Sequence, residues 1–93
     1  MEIQHQQGDN KGYFKAESNG NTAGKMTYSK AGEQKIIIDH TEVNDAFSGQ
    51  GVGKKMLLEA VAFARRENIK VIPLCPFAKA MFQKIDDIKD VLS

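Results

Sequence analysis

In the first half of the chain, apolar and polar positions alternate over short runs separated by turn residues. Residues 2–7 (EIQHQQ) alternate weakly, residues 8–12 (GDNKG) form a turn cluster, and residues 13–18 (YFKAES) supply a returning strand. Asn-Gly at residues 19–20 opens a second turn, taken over residues 19–24 (NGNTAG), because that pair accepts the positive φ values of a tight hairpin. Residues 25–30 (KMTYSK) alternate again, AGEQ turns the chain, and residues 35–43 (KIIIDHTEV) are its most β-rich run. Four consecutive strands paired neighbour to neighbour, antiparallel, is the simplest reading.

Beyond Gly51 the rhythm changes. Val52, Met56, Leu57, Ala60, Val61 and Ala64 recur at steps of three and four, with Lys54, Lys55, Glu59, Arg65 and Arg66 largely between them. This predicts a helix with one buried face, ending near residues 67–70 (ENIK). Residues 71–74 (VIPL) predict a short strand, which after a crossover helix can run parallel to the strand before it. Pro76 at a first helical position, followed by Phe77, Met81, Phe82 and Ile85 at helical spacing, predicts a closing helix. The order is that of an α/β (α+β) fold: a mostly antiparallel mixed sheet of five strands, a crossover helix after a Gly-rich loop, and a short C-terminal helix. No repeat or linker interrupts it, and residues 1–93 read as one domain.

Composition narrows the partners. With 41% hydrophobic and 27% charged residues the chain is an ordinary globular protein, and a formal net charge of +1 argues against a general nucleic-acid binder. No apolar run approaches the roughly 20 residues of a membrane span. The opening MEIQHQQGDN lacks the basic and apolar regions of a secretory signal, and Cys75 has no partner for an internal disulfide, so a cytoplasmic location is expected. Two histidines and one cysteine, far apart, match no metal-ligand spacing. His5 has no partner within sequence reach and is assigned no role.

Candidate chemistry begins at residues 48–55 (SGQGVGKK), where three glycines and two lysines precede the crossover helix. A Gly-rich turn opening a helix holds phosphate, because unpaired backbone N–H groups face the anion and the helix dipole favours negative charge there. Two named phosphate motifs fail. A P-loop requires glycine at position 48 and Ser or Thr at position 55, where this chain has Ser48 and Lys55; a dinucleotide fingerprint begun at Gly51 and Gly53 meets Met56 instead of its third glycine.

The stretch IDHTEVNDAFSGQGVGKKML, followed by VIPLCPFAKAMFQK, resembles the acyl-CoA-binding half of the GNAT superfamily of N-acyltransferases, in its small single-domain form. Gly51 and Gly53 stand at the glycines of that family's [QR]-x-x-G-x-[GA] pattern, and Ser48 stands where the family has Arg or Gln. The resemblance implies a GNAT-type sheet that binds acetyl-CoA and passes the acetyl group to an amine acceptor. It implies that Gln50, Gly51, Val52, Gly53, Lys54 and Lys55 wrap the pyrophosphate, and that the strand bearing Thr41, Glu42 and Val43 splays from the strand leading to Cys75 to admit the pantetheine. Phe77 or Lys79 would lie near the adenine end, although Phe77, Met81 and Phe82 read more simply as core. Larger members place helices between their first two strands and further strands after the last helix seen here, so much of the usual acceptor apparatus is missing.

On that frame Cys75 and His40 flank the cofactor. Cys75 either carries the acetyl group as a thioester, with His40 as the base that raises its thiolate fraction, or is a small buried hydrophobe; the missing acceptor apparatus favours the thioester, which can wait for an acceptor that binds weakly or arrives late. His40 is alternatively the general base for direct attack by an amine, with Asp39 and Glu42 as further candidates. The expected partners are acetyl-CoA and an unidentified amine, without nucleic acid or membrane, the chain being a monomer or a weak homodimer. The alternatives are an acyl-CoA-binding module without turnover, and a structural domain whose glycine loop merely starts a helix.

Overall fold

A computed structural model describes all of residues 1–93. Strands β1 (Glu2–Gln7), β2 (Lys11–Ser18), β3 (Asn21–Lys30) and β4 (Lys35–Val43) pair antiparallel in sequence order, and β5 (Lys70–Pro73) joins β4 in parallel. Helix α1 (Val52–Glu67) makes the crossover between β4 and β5, and α2 (Pro76–Lys84) follows β5. The fold class is therefore the one the pattern predicts.

The boundaries differ where turn chemistry is more compact than its composition suggests. Asn19 (φ 52°) and Gly20 (φ 82°) complete the β2–β3 turn alone, as a hairpin turn with two positive φ values allows, so residues 21–24 belong to β3. Gly24 is then a strand residue. A Cβ on it would lie 2.9 Å from Val52 Cγ1 and 3.0 Å from Met56 Cε, so its missing side chain lets α1 approach β3. Asn68 (φ 57°) ends α1 in the left-handed conformation, with the Ile69 N–H returning to the Ala64 carbonyl.

Helix α1 buries Val52, Met56, Leu57, Ala60, Val61 and Ala64, as its periodicity predicts, and also Gly53 and Phe63. They pack on Phe14, Ala16, Met26, Tyr28, Ile36 and Ile38, the inward-facing residues of the sheet. In α2 it is Ala78 and Phe82 that are fully buried, while Phe77 and Met81 are only half-buried. Pattern reading does not anticipate the 3-10 segment Asp86–Val91, which buries Ile88 and Val91 and brings Leu92 into a bridge with Val71 on the outer side of β5. The Arg65 guanidinium grips Asp90 with two nitrogens, at 3.0 and 2.7 Å, and holds its carboxyl below the usual carboxylate range.

His5, without a partner in sequence reach, gains one from the fold: its Nε2 lies 2.7 Å from the Tyr28 hydroxyl, and its ring stacks on Phe14 with centroids 4.1 Å apart. Desolvation by burial, then the charge of Arg66, lowers its pKa from the ordinary value, and burial raises that of Tyr28. Sheet pairing makes this contact between residues far apart in sequence.

No helix of the chain is long and apolar enough to cross a membrane. The face of β1–β3 opposite α1 carries no helix; cross-strand rows of Gln6, Tyr13 and Thr27, and of Lys15 and Lys25, lie on it.

Candidate functional site

Strand β4 has two different lengths of partner. Its ladder with β3 runs to Val43↔Gly24, whereas its ladder with β5 stops at Ile38↔Pro73. From Asp39 to Val43, about 13 Å at the usual rise per residue, the edge that faced β5 has no strand beside it. The strands part because β5 turns away at once: the amides of Leu74 and Cys75 both bond the Ile38 carbonyl, at 3.1 Å each, and Pro76 then starts α2. Cys75 therefore sits at the vertex of the opening.

The Gly-rich loop follows β4 directly and leads into α1. Asn44 caps a short 3-10 turn, Asp45–Phe47, after which Gly49 (φ 81°) and Gly51 (φ 71°) take left-handed conformations and α1 begins. Gly51 is the N-cap and has no side chain to bond the first turn. The amides of Gly51, Val52, Gly53 and Lys54 accordingly have no hydrogen-bond partner within the chain; the first bond of the turn runs from the Lys55 N–H to the Gly51 carbonyl, 2.9 Å. A Cβ on Gly51 would meet no atom within 4 Å, so the space beside this residue is open. Lys54 and Lys55 are exposed beside it.

The two motif glycines differ in surroundings. Gly53 is buried, and a Cβ on it would fall 2.6 Å from Phe77 Cζ. Its hydrogen atom is what lets α2 lie against the first turn of α1, and Phe77 is thereby a packing residue of the loop. Lys79 is exposed on α2.

The structure does not join His40 to Cys75. A bulge at Thr27/Tyr28 makes Asp39 an extra residue in β4: Thr27 opposes His40 and Tyr28 opposes Ile38. Thr41, opposite the buried Met26, faces the α1 side, and its Oγ1 lies 3.4 Å from Cys75 Sγ. His40 faces the other side, with its Nε2 2.9 Å from Glu42 Oε1, both side chains largely exposed. The Cys75 thiol, 5% exposed, accepts from the Ala78 amide at 3.5 Å as the N-cap of α2. Cys75 is thus paired with Thr41, and His40 with Glu42. Asp39 accepts a 2.6 Å hydrogen bond from the Ser29 hydroxyl on the same face as His40. Ser29 carries no signal in the sequence, because only the β3–β4 register puts it there.

Comparison with known proteins gives a consistent family. Residues 13–91 match the family described as GCN5-related N-acetyl-transferase. A GCN5-like protein from Staphylococcus aureus, solved by NMR, is 42% identical, with 97% of this chain and 87% of that one covered at a TM-score of 0.72. A GNAT family acetyltransferase from Elizabethkingia anophelis, solved with acetyl-CoA bound, shares the fold at 18% identity, with a TM-score of 0.66 over 81% of this chain and 52% of that one. Protein NATD1 of Xenopus tropicalis is 34% identical over 50 residues, which span 54% of this chain and just under half, 46%, of that protein.

Proposed function

The chain belongs to the GCN5-related N-acetyl-transferase family, and on that premise we propose that it binds acetyl-CoA and transfers the acetyl group to an amine. One observation carries the reading: an unpaired strand edge and an unpaired helix N-terminus meet at the same end of the sheet. The free amides of Gly51, Val52, Gly53 and Lys54 suit a pyrophosphate, which the helix dipole and the charges of Lys54 and Lys55 also favour. The open edge of β4, through Thr41, Glu42 and Val43, suits an arm that carries amides of its own, since an extended ligand can pair with a strand edge as an added strand does. Ser48 offers no long side chain in place of the family's Arg or Gln, so the backbone amides carry the anion, with Gln50 at the rim of the loop.

For the transfer itself, His40 and Glu42 serve as the base pair. A carboxylate only accepts, so Nε2 carries the hydrogen it shares with Glu42 and leaves Nδ1 as the basic nitrogen. Nδ1 takes the proton that an ammonium must lose before its nitrogen attacks the thioester carbonyl. The C–N bond forms, the C–S bond breaks, and a second proton from the amine ends on the departing sulfur.

A thioester relay through Cys75 is the second reading, favoured by its place at the vertex. There Cys75 gives up its proton and its thiolate displaces CoA, whose sulfur takes up that proton, giving acetyl-Cys75 and CoA thiol; a neutral amine then forms the C–N bond as the C–S bond to Cys75 breaks, its surplus proton returning to the Cys75 sulfur. Burial, capping of α2 and the absence of His40 from its side make the direct route the better supported one.

Calorimetric titration with acetyl-CoA, followed by an assay of CoA release with amines, tests the proposal. Gly51→Val strains a left-handed residue and puts a side chain into the open space beside the first free amide; affinity should fall about tenfold, or about 1.4 kcal/mol, with circular dichroism reporting retained fold. Unchanged affinity in the folded variant refutes the phosphate role of the loop. Binding without release of CoA thiol identifies a carrier module instead of an enzyme.

A further inference from the structure

The uncovered face of the sheet holds a cavity of about 590 Å³ between the β1–β2 turn and the bulge of β4. Gln6, Tyr13, Thr27 and Ser29 supply neutral hydrogen-bonding groups, and its only charged lining residues are Lys11 and Asp39. The two charges are not spent on each other or on a third charged group. Neither belongs to an ion pair, and Asp39 has one oxygen on the Ser29 hydroxyl and its other oxygen without a partner. In the ladder, Lys11 lies opposite Ser29 and Ser29 opposite Ile37, with Asp39 two residues further along β4 and reached by the Ser29 side chain. A cation and an anion thus stand on one wall two strand spacings apart and offset along the strands, roughly 11 Å at the backbone.

Asp39 also fixes where the cavity lies relative to the proposed transfer site. It follows Ile38, the last β4 residue paired with β5, and precedes His40. A group held by its free oxygen is therefore at the vertex of the gap and on the same face as the His40–Glu42 pair.

We propose that this cavity is the acceptor site and that its ligand is an amine bearing a carboxylate, the class of free amino acids and short peptides: Asp39 binds the ammonium and Lys11 the carboxylate. The proposal rests on the acetyltransferase reading. Lys11 disfavours polyamines, which would bring only positive charge to it, and Asp39 disfavours dicarboxylates lacking an amine. The transfer adds no co-reactant: the amine loses one proton through His40 and one to the departing sulfur, as above.

Two measurements test it separately. Acetylation is followed with free L-amino acids, the matching amino-acid amides and simple alkylamines. The free acids should show KM values about tenfold lower than the amides, Lys11→Ala should abolish that difference, and Asp39→Asn should raise KM for both classes, with acetyl-CoA affinity unchanged in either variant. Equal use of acids and amides, or a preference that survives Lys11→Ala, overturns the proposal. Independently, isotope-labelled protein is titrated with the best free amino acid in the absence of acetyl-CoA. Saturable amide shifts at Lys11, Ser29 and Asp39 that the amide analogue produces only at about tenfold higher concentration support the site even if transfer is never seen, whereas their absence overturns it. Failure of acetyl-CoA to bind, with those shifts present, defeats the transferase reading and leaves the amino-acid site standing.

Discussion

Replacing Gly53 with Ala should have opposite signs in two backgrounds. The added Cβ would sit 2.6 Å from Phe77 Cζ and 3.0 Å from Cε1 and Cε2. Carbon atoms rest at about 3.5–4.0 Å, so the ring tip must retreat by about 1 Å. Overpacking costs about 1–3 kcal/mol, and because Phe77 is half-buried and able to yield, the lower part of that range, about 1–2 kcal/mol, applies. Against this, Ala in place of Gly in a helix returns up to about 1 kcal/mol. Gly53→Ala should therefore be destabilising by up to about 1 kcal/mol in the natural chain, and stabilising by a similar amount in a Phe77→Ala background, where the clash is gone. Urea unfolding of the four proteins gives the coupling directly, expected at about 1–2 kcal/mol, or several degrees in Tm for a domain of this size. A coupling within about 0.5 kcal/mol of zero would refute the claim that this glycine exists to seat Phe77.

Other outcomes follow from the same geometry. Burial lowers the pKa of His5, so as pH falls through about 6.5 the unfolded chain takes up a proton that the folded chain refuses; stability should fall toward acid pH in thermal melts, and less steeply in His5→Gln. An unchanged slope in that variant would show that another group titrates. Lys54→Ala and Lys55→Ala should weaken CoA and dephospho-CoA equally, by a few-fold at low salt, if they serve the pyrophosphate; a loss confined to CoA would place the ribose phosphate there instead. Under direct transfer Cys75→Ala should keep most of its turnover while losing only the weak sulfur cap of α2, and His40→Ala should lose activity. An acetyl adduct on Cys75 that hydroxylamine removes, seen by mass spectrometry during turnover, would establish the relay.

The alternation of KMTYSK and KIIIDHTEV, the Asn-Gly turn, and the three- and four-step spacing from Val52 to Ala64 are local properties, and they determined the element order, the parallel return and the loop at the helix start. Local chemistry also marked Gly51, whose positive φ a side chain would resist. What lay beyond it were relations between strands. The bulge at Thr27/Tyr28 decides that Thr41, and not His40, meets Cys75, because one extra residue changes which side chains share a face. Pairing across the sheet gives His5 its Tyr28, and Asp39 its Ser29. The role of Gly53 depends on a ring more than twenty positions away. A face, a register and a helix contact are properties of pairs, fixed only when burial of the shared core selects one pairing, and no single segment carries them.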